Sequence, residues 1–175
     1  MNLIVCLASQ CNSEMDYSSI GNPAPLGLLA FGVTTAILMF VVTGWVPATD
    51  VGVVIPYACF FGGLTQFVAG ILELLRGNAF AGTAFSSYGA FWMAFFLAHV
   101  LPVSASGGTI SQTTQTLVLC IWGLVTLGLT VPTMRMNVNL FIVFSMLTAT
   151  YFLLAGGVWN ATANTVAGYT GFRFG

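Results

Sequence analysis

Two side chains, Gln66 and Glu73, stand seven residues apart in an apolar run. At helical periodicity they share one stripe with Ala58, Gly62 and Gly70. Glu73 is the only carboxylate inside such a run. A carboxylate in hydrocarbon is costly, so it implies a partner, a water-filled path or a group that carries a proton. Two readings stay open for it: an ion pair with Arg76, three residues on, or a place on a polar path. Gln66, about 10 Å from Glu73 at helical rise, has no charged neighbour in sequence and is expected to line a polar path or bridge helices. The small residues on the stripe also let a neighbouring backbone approach, a packing role that needs no chemistry.

Upstream, Asn22-Pro23-Ala24-Pro25-Leu26-Gly27-Leu28 stands where a polar segment gives way to the first long apolar run. Neither proline has an N–H, and each biases the residue before it away from helical dihedrals. The stretch therefore reads as a helix start near a membrane boundary. Such a start carries unbonded N–H donors and partial positive charge, which suit a carboxylate. A bare Pro-x-Pro would mark a helix start and no more. The full heptapeptide is more specific, and it makes Asn22, Pro23, Pro25, Leu26 and Gly27 candidate path residues. Downstream, Tyr88 shares a helical face with Phe91 and Phe95, and one with Trp92. A phenol can donate to a passing carboxylate while its ring narrows the path, but aromatics near a span end are more often interface anchors, and the residues alone favour that reading. His99 reads as a wetted boundary residue, with a proton relay as the alternative.

These side chains have to be carried by membrane-spanning elements. The 175-residue chain is 58% hydrophobic and 4% charged with a mean hydropathy of +0.97, whereas roughly a quarter of the residues of a soluble domain are charged. Apolar runs near the ~20 residues needed to cross hydrocarbon predict spans at about 24–45, 52–75, 83–102, 116–134 and 138–158. Lipid leaves only helices or closed barrels, and the runs show no period-2 alternation. The expected fold class is therefore all-α, a polytopic transmembrane helix bundle. Short connections leave no place for a second domain, so the expected organisation is a polar cytoplasmic tail over 1–21 and one transmembrane domain over 22–175. The small apolar patch at 3–8 lacks a basic start and is not read as a signal peptide. There is no lysine, and Arg76 and Arg135 fall in loops on the N-terminal side, which the positive-inside rule assigns to the cytoplasm. Cys6, Cys11, Cys59 and Cys120 lack metal-ligand spacing and read as small hydrophobes.

The sequence holds no phosphate-binding glycine loop, paired catalytic carboxylates, nucleophile with a base at motif spacing, or His/Cys cluster. Neither an enzyme nor a bound metal or cofactor is expected. Its three arginines cannot neutralise a nucleic-acid backbone, so no nucleic-acid partner is expected.

Three separated blocks carry a resemblance: the 22–28 heptapeptide; Gly62-Gly63-x-x-Gln66-x-x-Ala69-Gly70-x-x-Glu73-x-x-x-Gly77-Asn78; and Thr83-Ala84-Phe85-x-Ser87-Tyr88-Gly89-x-Phe91-Trp92. Together they resemble the acetate uptake transporter family, the succinate-acetate permeases of bacteria and their fungal relatives, over about residues 22–171. The resemblance implies a six-helix fold in membrane lipid, assembled as a homo-oligomer, a hexamer, with a separate pathway in each subunit. It also implies movement of acetate and similar small carboxylates, in some members succinate, with protons, at the plasma membrane. The family builds a hydrophobic constriction from a phenylalanine, a tyrosine and a leucine on its first, third and fifth helices, which correspond to Phe31, Tyr88 and Leu147. Asn22, Gln66, Tyr88 and Thr34 or Thr35 would then line a neutral path that passes a small anion without trapping it. The family pattern continues into a sixth span, where this sequence has only Phe172-Arg173-Phe174-Gly175 after 167–171, so five spans of the six-helix fold are expected. Two alternatives accompany the resemblance: a truncated, non-transporting paralogue that assembles with complete subunits, and ammonium export.

Overall fold

The computed structural model describes residues 21–101 and 111–163. Among them the regular elements are all helical: α1 (Ala24–Val42), a 3-10 turn (Ala48–Asp50), α2 (Val51–Cys59), a π-helical turn (Phe60–Thr65), α3 (Gln66–Leu75), α4 (Ala79–Val100), α5 (Gln112–Thr133) and α6 (Val138–Ala163). The 3-10 turn, α2, the π turn and α3 run on as one span, Ala48–Leu75. With α1, α4, α5 and Val138–Val158 of α6 it makes five helices long and apolar enough to cross a membrane among the described residues. The chain is an all-α, multi-pass membrane protein. The expected tail (Gly21 apart) and residues 164–175, where a sixth span would begin, lie outside the described residues.

The span edges shift by a few residues from expectation, each for a local chemical reason. α1 ends at Val42 because Gly44 adopts a φ of 76°; its N–H bonds the Val41 carbonyl at 3.1 Å and that of Trp45 bonds Phe40 at 3.0 Å. This is the glycine-terminated Schellman pattern, and the Phe40 and Trp45 rings stack across it at 5.5 Å. The second span closes in the same way. Gly77 has a φ of 80°, its N–H bonds Leu74 O at 2.9 Å, and the Asn78 N–H bonds Glu73 O at 2.9 Å. Asn78 then starts α4, its Oδ1 accepting from the Ala81 N–H at 3.3 Å, so that helix begins at Ala79 rather than near 83.

The chain divides into two units, one through Leu97 and one from Ala98. In the first, four glycines alternate across the contact between the second span and α4. A Cβ on Gly82 would meet the Leu74 side chain at 2.5 Å, one on Gly70 would strike Ser86, one on Gly89 would meet the Phe67 backbone at 2.6 Å, and one on Gly63 would meet Met93 at 2.8 Å. From Leu74 to Gly63 the contacts step back by 4, 3 and 4 residues, and from Gly82 to Met93 they step forward by 4, 3 and 4. That is the pattern of two antiparallel helices in unbroken register. Lipid offers no hydrophobic force between helices, so backbone approach over small residues supplies the dispersion that holds them. α1 joins through Thr34, which lies 2.7 Å from the Cβ position of Gly62, and through the Phe85 ring, 2.8 Å from that of Gly27.

In the second unit α5 and α6 enclose a threonine interior. The buried hydroxyls of Thr126, Thr130, Thr133 and Thr148 donate to Trp122 O, Thr126 O, Thr130 O and Phe144 O at 2.5 to 2.8 Å. Each is thus satisfied by its own helix. Thr130 and Thr148 lie 3.1 Å apart across the interface, and Phe152 packs over Gly123.

Because the Phe67 backbone cannot yield, Gly89→Ala should lower the melting temperature of the detergent-purified protein, at an overpacking cost of about 1–3 kcal/mol. Gly128→Ala, with open space at its Cβ position, should leave the melt unchanged or raise it. Circular dichroism melts of the two variants check this, and equal melts would mean the ladder tolerates a methyl group.

Candidate functional site

The start of α1 is poorer in donors than a helix start usually is. Of the N–H groups left unbonded at such a terminus, Pro23 and Pro25 have none, and that of Ala24 is taken by Asn22 Oδ1 at 3.0 Å. The Gly27 N–H already bonds the Pro23 carbonyl at 3.1 Å. Among the described residues, Leu26 is left as the one first-turn residue whose backbone N–H has no bond to the chain. Asn22, Pro25 and Leu26 are exposed, whereas Pro23 is buried and Gly27 is buried under Phe85. The double proline fixes where the helix begins and removes most of the donors that an anion would find there.

Gln66 is fully buried, and among the described residues neither its Oε1 nor its Nε2 has a hydrogen-bond partner. The hydroxyls of Thr34, Thr35 and Ser86 are likewise buried with no partner among the described residues. Leaving a buried amide unbonded costs about 1–3 kcal/mol, a cost that a water molecule or carboxyl group bonded to it would offset. Thr34 lies against Gly62, so at helical rise Gln66 stands level with Ala30 and Phe31 on α1; Gly89 lies against Phe67, which sets Gln66 level with Tyr88 to Ala90 on α4. At that level the Phe31 and Tyr88 rings meet, centroids 5.9 Å apart and planes inclined at 39°. Tyr88 is only 3% exposed, which rules out the interface-anchor reading and leaves a ring packed inside the helix group. Ala58, Gly62, Gln66, Gly70 and Glu73 all lie buried, as the stripe requires.

Glu73 is 2% exposed, and its partner is Asn78, whose Nδ2 donates to Oε2 at 2.7 Å; Oε1 has none among the described residues. Among the described residues no ion pair joins Glu73 to Arg76, which corrects that reading. Arg76 is the residue on which α3 ends and its side chain is exposed, while Glu73 faces inward one turn earlier. Asn78 therefore serves three groups: the carbonyl that ends one helix, the N–H that starts the next, and the buried carboxylate between them. Asn78 and Ser86 are the site residues that sequence reading missed. The Gly77-Asn78 pair was the available signal, since a glycine stop followed by an asparagine cap is a known helix-to-helix corner. Leu147, half-buried on α6 next to buried Thr148, belongs to the second unit.

The sequence profile of the GPR1/FUN34/yaaH family matches residues 7–174. The chain is 38% identical over 165 residues to the succinate-acetate/proton symporter SatP of Escherichia coli K12, covering 92% of this chain and 86% of that one. It is 33% identical over 169 residues to the ammonia transport outward protein 2 of Saccharomyces cerevisiae, covering 86% of this chain and 60% of the yeast protein. It is also similar to the solved structure of the bacterial acetate channel SatP, with a TM-score of 0.76 at 34% identity over 83% of this chain and 79% of that one. The resemblance carried by the three motif blocks is borne out.

Asn78→Ala should destabilise the protein by about 1–2 kcal/mol through the lost cap, and further through the carboxylate oxygen left unbonded. Gln66→Leu, which removes two unpartnered polar atoms at similar volume, should leave the melting temperature level or higher. Thermal melts of both variants decide it, and a large loss in Gln66→Leu would mean that the amide holds the fold together.

Proposed function

The chain belongs to the GPR1/FUN34/yaaH family, and on that footing we propose that it moves acetate and other small monocarboxylates, succinate among its further substrates, together with protons across the plasma membrane. The observation that carries this is the unpartnered Gln66 amide, fully buried at the level where Phe31 and Tyr88 meet. A carboxylate needs hydrogen bonds at a narrowing, and a neutral amide with nearby hydroxyls gives them without the fixed cation that would hold the ion in place. Two aromatic rings next to it exclude larger or more hydrated solutes. Leu147 is counted with the constriction in this reading on the family resemblance alone, and Asn22, Pro23, Pro25, Leu26 and Gly27 form the cytoplasmic approach. Glu73, a buried carboxyl with one free oxygen near that end, is the group that exchanges the proton, and Thr34 or Thr35 adds a hydroxyl to the path.

In the most apolar stretch of each span 17 to 33% of the residues are buried among the described residues, which leaves apolar surface on every span for lipid or another protein surface. Copies of the chain assembled as a hexamer would cover part of it, each keeping its own pathway. The N-terminus is in the cytoplasm in this arrangement, and the protein performs transport rather than enzymatic chemistry. Its likeness to the yeast ammonia protein supports a second reading, ammonium export, but a path that offers an amide and hydroxyls beside a single carboxyl suits a carboxylate better.

Proteoliposomes holding the full chain should take up labelled acetate faster under an inward proton gradient than without one. Excess unlabelled acetate should compete and ammonium should not. Leu147→Val should widen the constriction and raise lactate uptake several-fold relative to acetate. Ammonium flux with no acetate uptake would sink the first reading in favour of the second, and unchanged selectivity in Leu147→Val would remove that residue from the constriction.

A further inference from the structure

Val54 and Glu73 are both buried on the second span, 19 residues apart. At about 100° per residue a straight α-helix would set them about 100° apart around its axis, whereas 18 residues would make about five whole turns. The buried positions on either side of the turn nevertheless line up, Val54 and Ala58 before it with Gln66, Ala69, Gly70 and Glu73 after it, while Gly62 and Gly63 within it lie against α1 and α4. One residue has been taken up between them. The π turn Phe60–Thr65 is where it goes: the Gln66 N–H reaches the Phe61 carbonyl, five residues back, and the Thr65 hydroxyl donates to the Phe60 carbonyl, also five back, at 2.9 Å. Such a turn holds one residue more than the α turn it replaces. Pro56, a turn upstream, has no N–H to give the preceding helix, which loosens the span just where it widens.

We propose that this π turn is a stored register shift and that Thr65 is the positioning residue that holds it, keeping Gln66 and Glu73 turned to the same side as Val54 and Ala58. If the turn relaxed to α geometry with every residue kept, Ala48–Cys59 would swivel by about 100° against Gln66–Leu75. Contacts at Gly70, Gly82 and Gly89 clasp α3 to α4, so the half before the π turn is the half that moves. The link to uptake rests on the path role of Gln66 proposed above, while the register shift stands on the backbone and the burial pattern.

The test reads register and uptake separately. Ala58 and Leu38 are both buried, and since Gly62 lies against Thr34 they stand level one turn further along. In the full chain with its native cysteines replaced, Ala58→Cys with Leu38→Cys should cross-link on copper-phenanthroline oxidation in proteoliposomes. Thr65→Val removes one hydrogen bond, and should shift the balance between π and α registers by roughly 2- to 10-fold and cut the cross-link yield. Thr65→Ser should keep it. Deleting Leu64, an exposed residue of the π turn, removes the surplus residue and should restore the cross-link in Thr65→Val. Acetate uptake should fall and recover with the cross-link. An unchanged yield in Thr65→Val, or loss of the cross-link on deleting Leu64 alone, would overturn the proposal. A cross-link that responds as expected while uptake stays constant would uphold the register shift and remove Gln66 from the path.

Discussion

The first unit depends on how closely the second span and α4 approach each other. Glycines alternate from one helix to the other down the contact, so each side chain on one helix lies against bare backbone on its neighbour. Between helices in lipid there is little besides dispersion and hydrogen bonding to hold them, and dispersion falls off within an ångström of its optimum. A single extra carbon at Gly70 or Gly89 would part the backbones. The same register fixes the level of Gln66 against Tyr88 and lets Asn78 close the corner while reaching Glu73.

The two units treat buried polar groups differently. On α5 and α6 each interior threonine returns its hydrogen to a carbonyl of its own helix, so those helices bury hydroxyls at little cost and need nothing from outside. In the first unit the Gln66 amide and the hydroxyls of Thr34, Thr35 and Ser86 find no bond among the described residues. A glutamine amide inside a helix offers two donors and two acceptor sites at once, more than the single hydrogen that a threonine returns to one carbonyl of its own helix. A buried group that the fold leaves unpaired is where a transient partner gains most.

Much of this was legible in the residues. Span number followed from hydropathy, and the stripe through Gln66 and Glu73 from helical period. Sequence distance left an ion pair and a polar path both open for Glu73, because it ignores how a helix stops: Gly77 at a positive φ ends α3 and leaves Arg76 outside, while Asn78 comes back to the carboxylate. At the helix start a general count of free N–H groups does not apply, since two of the residues are proline and Asn22 takes a third. The π turn could not be read, since a fixed period of 3.6 hides an extra residue. Tyr88 needed the packing of α1 to be told apart from a boundary aromatic.

The spans of the first unit are unequal, 19 residues in α1 against 28 in its neighbour. At 1.5 Å per residue these are about 28 and at most about 42 Å, against roughly 30 Å of hydrocarbon. α1 fits a bilayer of ordinary thickness almost upright. Its partner has to lean, or to push its Ala48 end, with exposed Asp50, out into the headgroups beside exposed Trp45. Because the two are packed face to face, any lean is shared, and thickness of the host membrane becomes a load on the pair. A thinner bilayer would favour more tilt and a thicker one would draw Asp50 towards hydrocarbon, so lipid composition acts on this protein as a mechanical variable.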